Sequence, residues 1–189
     1  HYYFYALELY SRAISNDAKH DFSKLLLALI KKEGLELLTW SKKAIELQNR
    51  VNFINENMNN DFPIFINDVL LETLELWLEP YLQNITTVKE LEALDIYTIL
   101  LGIIPWEKQQ LLETLAPNSI KVPSGSNINI DYSNPKNPIL AVKIQEMFGL
   151  NETPKILNNS IALQIHLLSP GLRPIQITND LKSFWENSY

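Results

Sequence analysis

Ile120-Lys-Val-Pro-Ser-Gly-Ser-Asn-Ile-Asn-Ile-Asp-Tyr132 is the stretch that decides the fold. Apolar and polar residues alternate on both sides of Pro123-Ser-Gly-Ser126, which predicts two antiparallel strands joined by a hairpin turn. Downstream, Ile161-Ala-Leu-Gln-Ile-His-Leu-Leu-Ser-Pro170 repeats the period of two, with Ile161, Leu163, Ile165 and Leu167 on one face. Ser169-Pro-Gly then turns into Arg173-Pro-Ile-Gln-Ile-Thr178, and Thr178 is expected to cap a last helix carrying Leu181, Phe184 and Trp185. Between the strand pairs, Pro138 opens a run in which Leu140, Ile144, Met147 and Phe148 fit one helical face and Gly149 closes it. The predicted order is β-β-α-β-β-α, an antiparallel sheet with helices on one side, with an extra short strand near Lys155–Leu157. Asn158-Asn159 is expected to form a tight turn, because asparagine tolerates positive φ.

Upstream of Pro117 the texture is helical. Phe22, Leu25, Leu26, Leu29 and Ile30 fall on one face of a helix over Asp17–Glu33, and Gly34 follows it. Leu37, Trp40, Ala44, Leu47, Val51, Ile54 and Met58 recur at spacings of three and four, an apolar stripe that packs on neighbouring helices. A helix is expected over Asn67–Glu79, ending at Pro80. Thr87-Val-Lys-Glu90 is a capping box, Asp95 caps a short helix to Gly102, and Pro105 begins a helix over Trp106–Ala116. The aromatic opening, His1–Ile14, alternates partially and reads as a strand. The fold class is therefore α+β. A strand remnant over 1–16 and a helical domain over 17–116 precede a small α+β domain over 117–189.

Composition narrows the function. The 189 residues are 46% hydrophobic and 20% charged, a globular composition. Sixteen basic against 22 acidic residues give a net charge of −6, which argues against a chain-wide basic footprint for nucleic acid or anionic membrane. The absence of cysteine excludes disulfides, thiolate metal sites and cysteine nucleophiles, and fits a reducing, cytoplasmic setting. The apolar runs Leu25–Ile30 and Ile99–Ile104 fall far short of the roughly 20 residues that span a bilayer. The chain opens on His1 rather than Met, and we read it as a fragment of a longer polypeptide.

Little in the residues spells a reaction. Pro123-Ser-Gly-Ser126 lacks the lysine and the strand-loop-helix setting of a phosphate-binding loop. His1, His20 and His166 are scattered and belong to no metal motif. Ser124 or Ser126 with His166 and Asp131 supplies the residue types of a hydrolytic triad without a nucleophile elbow. No catalytic residue is assigned. For nucleic acid, Lys121, Lys143, Lys155, Arg173 and Lys182 supply cations, with Tyr132 and His166 as stacking groups; of these, Lys121, Tyr132, Lys143, His166 and Arg173 are the candidate site. The competing reading is scattered solubilising lysines, with Arg173 held by a carboxylate of its own domain.

Several stretches, in order, resemble the bacterial DEAH-type ATP-dependent helicases called HrpB. They are Gly34-Leu-Glu-Leu-Leu-Thr-Trp40, Leu76-Trp-Leu-Glu-Pro80, Leu94-Asp-Ile-Tyr97, Val122-Pro-Ser-Gly-Ser126, Leu140-Ala-Val-Lys-Ile-Gln-Glu-Met-Phe-Gly149, His166-Leu-Leu-Ser-Pro170 and Arg173-Pro-Ile-Gln-Ile-Thr-Asn-Asp-Leu181 with Phe184-Trp185. The resemblance covers about Ala6 to Tyr189 and implies the C-terminal portion of such a helicase. It implies that ATP and Mg²⁺ bind in upstream motor domains rather than here, and that the opening strand is the tail of an oligonucleotide-binding-fold domain. The expected function is a non-catalytic accessory region that braces the motor or contributes to nucleic-acid binding. Its expected partners are the upstream helicase domains and single-stranded RNA or DNA. The alternative is a platform that couples the helicase to a protein partner.

Overall fold

The computed structural model describes residues 16–58 and 62–187, and the strand expected over His1–Ile14 lies outside them. Close contacts divide the described residues into two compact units. One holds the residues up to Gln48 with Pro63–Ile104; the other holds the residues from Asn49 to Phe62 with those from Pro105 onward. This division differs from the one read at Pro117, because the helix Trp106–Leu115 groups with the strands.

The first unit is helical. Helix α1, Asn16–Glu33, buries Phe22, Leu26 and Ile30, while Leu25 turns to solvent with 62% of its surface exposed. The buried face is thus rotated from the one expected, and takes in Ser23 and Leu27 instead. Gly34 ends α1 at φ +109°, its N–H donating to the Ile30 carbonyl at 2.8 Å. A Cβ there would lie 2.0 Å from a Glu36 carboxylate oxygen. A 3₁₀ turn, Leu35–Leu37, follows. Helix α2, Lys42–Asn57, starts later than the apolar spacing suggested, because the Ser41 hydroxyl accepts from the Ala44 N–H and caps it. Ala44, Leu47, Val51 and Ile54 are buried as expected, whereas Leu37 lies outside the helix and is exposed.

The helix expected over Asn67–Glu79 is broken into α3, Asn67–Glu72, α4, Leu74–Trp77, and α5, Glu79–Leu82. Thr73 interrupts it by donating its hydroxyl to the Val69 carbonyl at 2.6 Å, the local competition that bends helices at threonine. Pro80 opens the third turn instead of ending the run, since an N-terminal proline forfeits no helical hydrogen bond. Helix α1 packs on α3, α4 and α5, whose Leu70, Leu74, Leu78 and Leu82 are buried. Helix α6, Val88–Glu92, carries the expected capping box, and α7, Ile96–Ile103, is capped by Asp95.

The second unit contains helix α8, Trp106–Leu115, and a five-stranded sheet. Its strands are β1, Ser119–Lys121; β2, Asn127–Asp131; β3, Ile139–Lys143; β6, Gln164–Leu168; and β7, Pro174–Thr178, in the order β1-β2-β3-β6-β7. The short strands β4, Lys155–Ile156, and β5, Ile161–Ala162, pair separately. Here the helix expected after Pro138 is corrected: the segment is strand β3 followed by a 3₁₀ turn, Ile144–Met147. Leu140 and Val142, two apart, are buried on one face of the strand and pair with Ile165 and Leu167. The sheet is mostly antiparallel, but β3 and β6 run parallel at its centre.

Asn158 and Asn159 do adopt positive φ, and buried Leu157 joins them at φ +53°. The Leu157 N–H donates to the Leu115 carbonyl at 3.0 Å, which ties the β4–β5 turn to the end of α8. Helix α9, Leu181–Asn187, is capped by Asp180, whose carboxylate accepts from the Ser183 N–H. Thr178 instead accepts from the Asp180 N–H, one step earlier than expected.

The end of α8 is held by Arg50, a buried guanidinium on α2. Its Nε donates to the Ala116 carbonyl at 2.6 Å, and one Nη reaches the Leu112 carbonyl at 3.4 Å and Glu113 at 2.8 Å. Carbonyls at a helix C-terminus lack intrahelical donors and carry the negative end of the dipole, so a buried cation is well matched there.

Candidate nucleic-acid interface

The register of the sheet decides which candidate residues share a surface. Ile130, Leu140, Val142, Ile165 and Leu167 point into the core. Their neighbours along each strand therefore line the opposite, open face. Lys121 pairs with Asn127, Asp131 with Ile139, Ala141 with His166, and His166 with Ile177, so Lys121, Lys143 and His166 all lie on that open face.

The same register brings three cations to one end of the sheet. Lys143 is opposite Leu168, and Leu168 is opposite Pro174, which follows Arg173. Continuing the β2–β3 ladder brings Asn127, the partner of Lys121, beside Lys143. Lys121 on β1, Lys143 on β3 and Arg173 before β7 are thus spaced by two strands each, about 10 Å per step. Gly125, at φ +91°, allows the tight β1–β2 turn that fixes Lys121 at this end. Ser169 positions Arg173 by accepting its backbone N–H at 3.1 Å, and among the described residues no ion pair engages the guanidinium. Glu146 stands at the same end and accepts from the Ser124 hydroxyl. Over 120–189 six basic residues meet five acidic ones, so the acidic excess of the chain lies upstream.

His166 sits midway along β6, half-buried, with Nε2 3.1 Å from the Gln164 side-chain oxygen. Tyr132 is elsewhere. Its ring is 4% exposed and 5.0 Å from Phe53, and its hydroxyl donates to the Pro117 carbonyl at 2.8 Å. Burial pushes its phenol well above the ordinary value. A side chain so enclosed offers no face to a base, and Tyr132 is a core residue rather than a stacking group. Lys155 and Lys182 are exposed but stand outside the row.

A hydrolytic triad is not assembled. The Ser124 hydroxyl is turned to Glu146, Asp131 accepts from the Ser133 N–H, and His166 faces Gln164. Among the described residues no group of three or more histidine or acidic side chains is placed to hold a metal, and no helix is long and apolar enough to cross a membrane.

One further surface is exposed. Strand β7 is an edge of the sheet, and Ile175 and Ile177 on it are 49% and 53% exposed, with Leu172 at 64% on the preceding turn. Leu172 holds φ +61°, a left-handed conformation that leucine seldom adopts.

The chain is 36% identical over 177 residues to the ATP-dependent RNA helicase HrpB of Escherichia coli K12, covering 93% of the chain and 22% of that protein. Crystal structures of the E. coli DExH-box NTPase HrpB and of the E. coli DEAH/RHA helicase HrpB superpose with TM-scores of 0.82 and 0.77, at 36% and 35% identity. They match 94% and 95% of this chain and 22% of theirs, so the chain spans about a fifth of the length of these relatives. The family model described as ATP-dependent helicase C-terminal matches residues 77–189. The chain belongs to that family, the C-terminal region of HrpB-type ATP-dependent helicases.

Proposed function

We propose that this region is a non-catalytic accessory part of an ATP-dependent RNA helicase, and that the cationic end of its sheet takes the phosphate backbone of single-stranded RNA or DNA. In this reading ATP and Mg²⁺ belong to motor domains of the same polypeptide, and the region works in the cytoplasm. The observation that carries it is the register, which puts Lys121 and Lys143 on one face at one end of the sheet and brings Arg173 to that same end, although 52 residues of sequence separate the first from the last. His166, on the same face, adds a hydrogen-bonding ring close to that row.

Three phosphate contacts predict a measurable salt dependence. At a slope of about −0.7 per contact on single strands, raising salt fourfold weakens binding about twentyfold. Fluorescence anisotropy with labelled oligouridine tests this. Lys121→Ala, Lys143→Ala and Arg173→Ala are each expected to reduce the slope by about 0.7. Binding absent at low salt, or a slope unchanged in the triple variant, overturns the reading.

The exposed β7 edge favours a second role, the protein platform. An apolar, unpaired strand edge is a surface that proteins usually cover. In this role β7 braces the upstream helicase domains or meets a protein partner. Titrating the upstream domains against this chain by calorimetry is expected to give binding that Ile175→Lys with Ile177→Lys abolishes. Undiminished heat from the double variant refutes it.

A further inference from the structure

We infer that His166, Gln164 and the gap over Ala141 form a base-reading site on the open face of the sheet, one that takes bases carrying a ring N–H beside a carbonyl, uracil and guanine. The inference rests on the phosphate-binding reading above and adds what that reading lacks, a choice among bases.

A hydrogen bond on β6 sets the polarity of the site. His166 and Gln164 are two residues apart on one strand and so share its open face. The Gln164 atom 3.1 Å from His166 Nε2 is the side-chain oxygen, which only accepts, so Nε2 carries the ring hydrogen and donates it. In the neutral imidazole Nδ1 is then an acceptor, and the Gln164 amide keeps both of its hydrogens to donate. Among the described residues neither Nδ1 nor that amide nitrogen meets a hydrogen-bond partner, and both side chains are only half-buried. An acceptor beside a pair of donors is thus fixed on the sheet before any ligand arrives, which lowers the entropy lost on binding.

The register supplies the room. Ser119 pairs with Asn129, Ala141 with His166, and His166 with Ile177, and continuing the β2–β3 ladder past Ile130 and Leu140 sets Asn129 beside Ala141. Exposed Ala141 is the smallest side chain in this row. It leaves a gap between the strands that carry Asn129 and His166, which stand about 10 Å apart. A base resting on the Ala141 methyl turns its edge to His166. Lys143 lies two residues along β3 on the same face, about 7 Å away, and takes the adjoining phosphate. Asp131, paired with Ile139 on the other side of Ala141, repels phosphate from that direction. Uracil and guanine each offer a ring N–H to Nδ1 and a neighbouring carbonyl to the amide. Cytosine and adenine put a ring acceptor against Nδ1 and an amino group against the amide, so like faces like.

Anisotropy titrations of the 189-residue chain with labelled oligouridine, oligocytidine and oligo(N3-methyluridine) test the site, in mildly alkaline buffer where imidazole is neutral. Oligouridine is expected to bind about fivefold more tightly than either of the others, because N3 methylation and the cytosine ring each remove the hydrogen that Nδ1 accepts. His166→Phe, which keeps a ring but no acceptor, and Ala141→Leu, which fills the gap, are each expected to abolish the preference. Lys121→Ala is expected to weaken all three probes alike. Thermal melts followed by circular dichroism confirm that each variant is folded, and if one is not, the contrast between oligouridine and its methylated form on the unaltered chain decides. Equal affinity for the three probes, or a preference that survives His166→Phe, overturns the base-reading site, while salt-sensitive binding leaves the phosphate reading standing. Failure of all three probes to bind removes the two together.

Discussion

Replacing Arg50 by methionine keeps the buried stem and deletes the guanidinium that closes helix α8. Two backbone carbonyls, Ala116 at 2.6 Å and Leu112 at 3.4 Å, then lose a charged donor at a site where Arg50 is only 4% exposed. Hydrogen bonds to charged groups contribute about 1.5–3 kcal/mol each. The longer of these two contributes least, and methionine also relieves the desolvation of a buried cation. The net expected cost is about 2–3 kcal/mol. Glu113, by contrast, has 60% of its side chain exposed, so Glu113→Gln is expected to cost under about 1 kcal/mol. Urea titrations followed by circular dichroism and tryptophan fluorescence measure both. With a slope of about 1–3 kcal/mol per molar, Arg50→Met lowers the midpoint by about 1–2 M. If the two variants prove equally destabilising, the ion pair rather than the helix cap is what Arg50 supplies, and the reasoning fails. A change under about 0.5 kcal/mol for Arg50→Met refutes it as well.

Three further outcomes follow from the geometry. Gly34→Ala is expected to destabilise the chain by about 1–3 kcal/mol, since alanine is strained at φ +109°, ψ 172° and its Cβ meets Glu36; a thermal melt checks this. Tyr132→Phe strips the Pro117 carbonyl of its donor and is expected to cost about 1–2 kcal/mol in urea, while RNA anisotropy stays unchanged. Hydrogen bonds from Thr86 and Thr87 hold the Glu90 carboxyl below its ordinary 4.5. Its stabilisation is therefore present above pH 4.5 and lost as pH falls through the lower folded value, and Glu90→Gln is expected to flatten that part of the acid melting profile.

What could be read from sequence was local chemistry. The box at Thr87 and Glu90, the cap at Asp95 and the hairpin at Gly125 are set by residues within four positions of one another, and all appear in the structure. The run after Pro138 is ambiguous in sequence, because Leu140, Ile144 and Met147 satisfy a helical spacing as well as a strand followed by a 3₁₀ turn. Its place between β2 and β6 settles the matter, and that place depends on Gln164–Leu168, outside any local window. Arg50 gave no sign of its role, since its carbonyl partners lie more than sixty residues away. In the candidate interface, Lys121 and His166 fall in segments whose alternation is legible, whereas Lys143 lies in the run that also fits a helix and the burial of Tyr132 depends on Phe53 and Pro117.

The parallel contact between β3 and β6 has a consequence for biosynthesis. Antiparallel neighbours close as soon as a short turn leaves the ribosome, but β3 must wait while everything from Ile144 to Leu163 is translated. Until then Leu140 and Val142 have no partner on that flank. A nascent chain stalled before Leu168, or one clipped there by a protease, lacks a complete β6 and all of β7, so the central strand β3 becomes the rim of the sheet. It leaves a greasy seam open to chaperones.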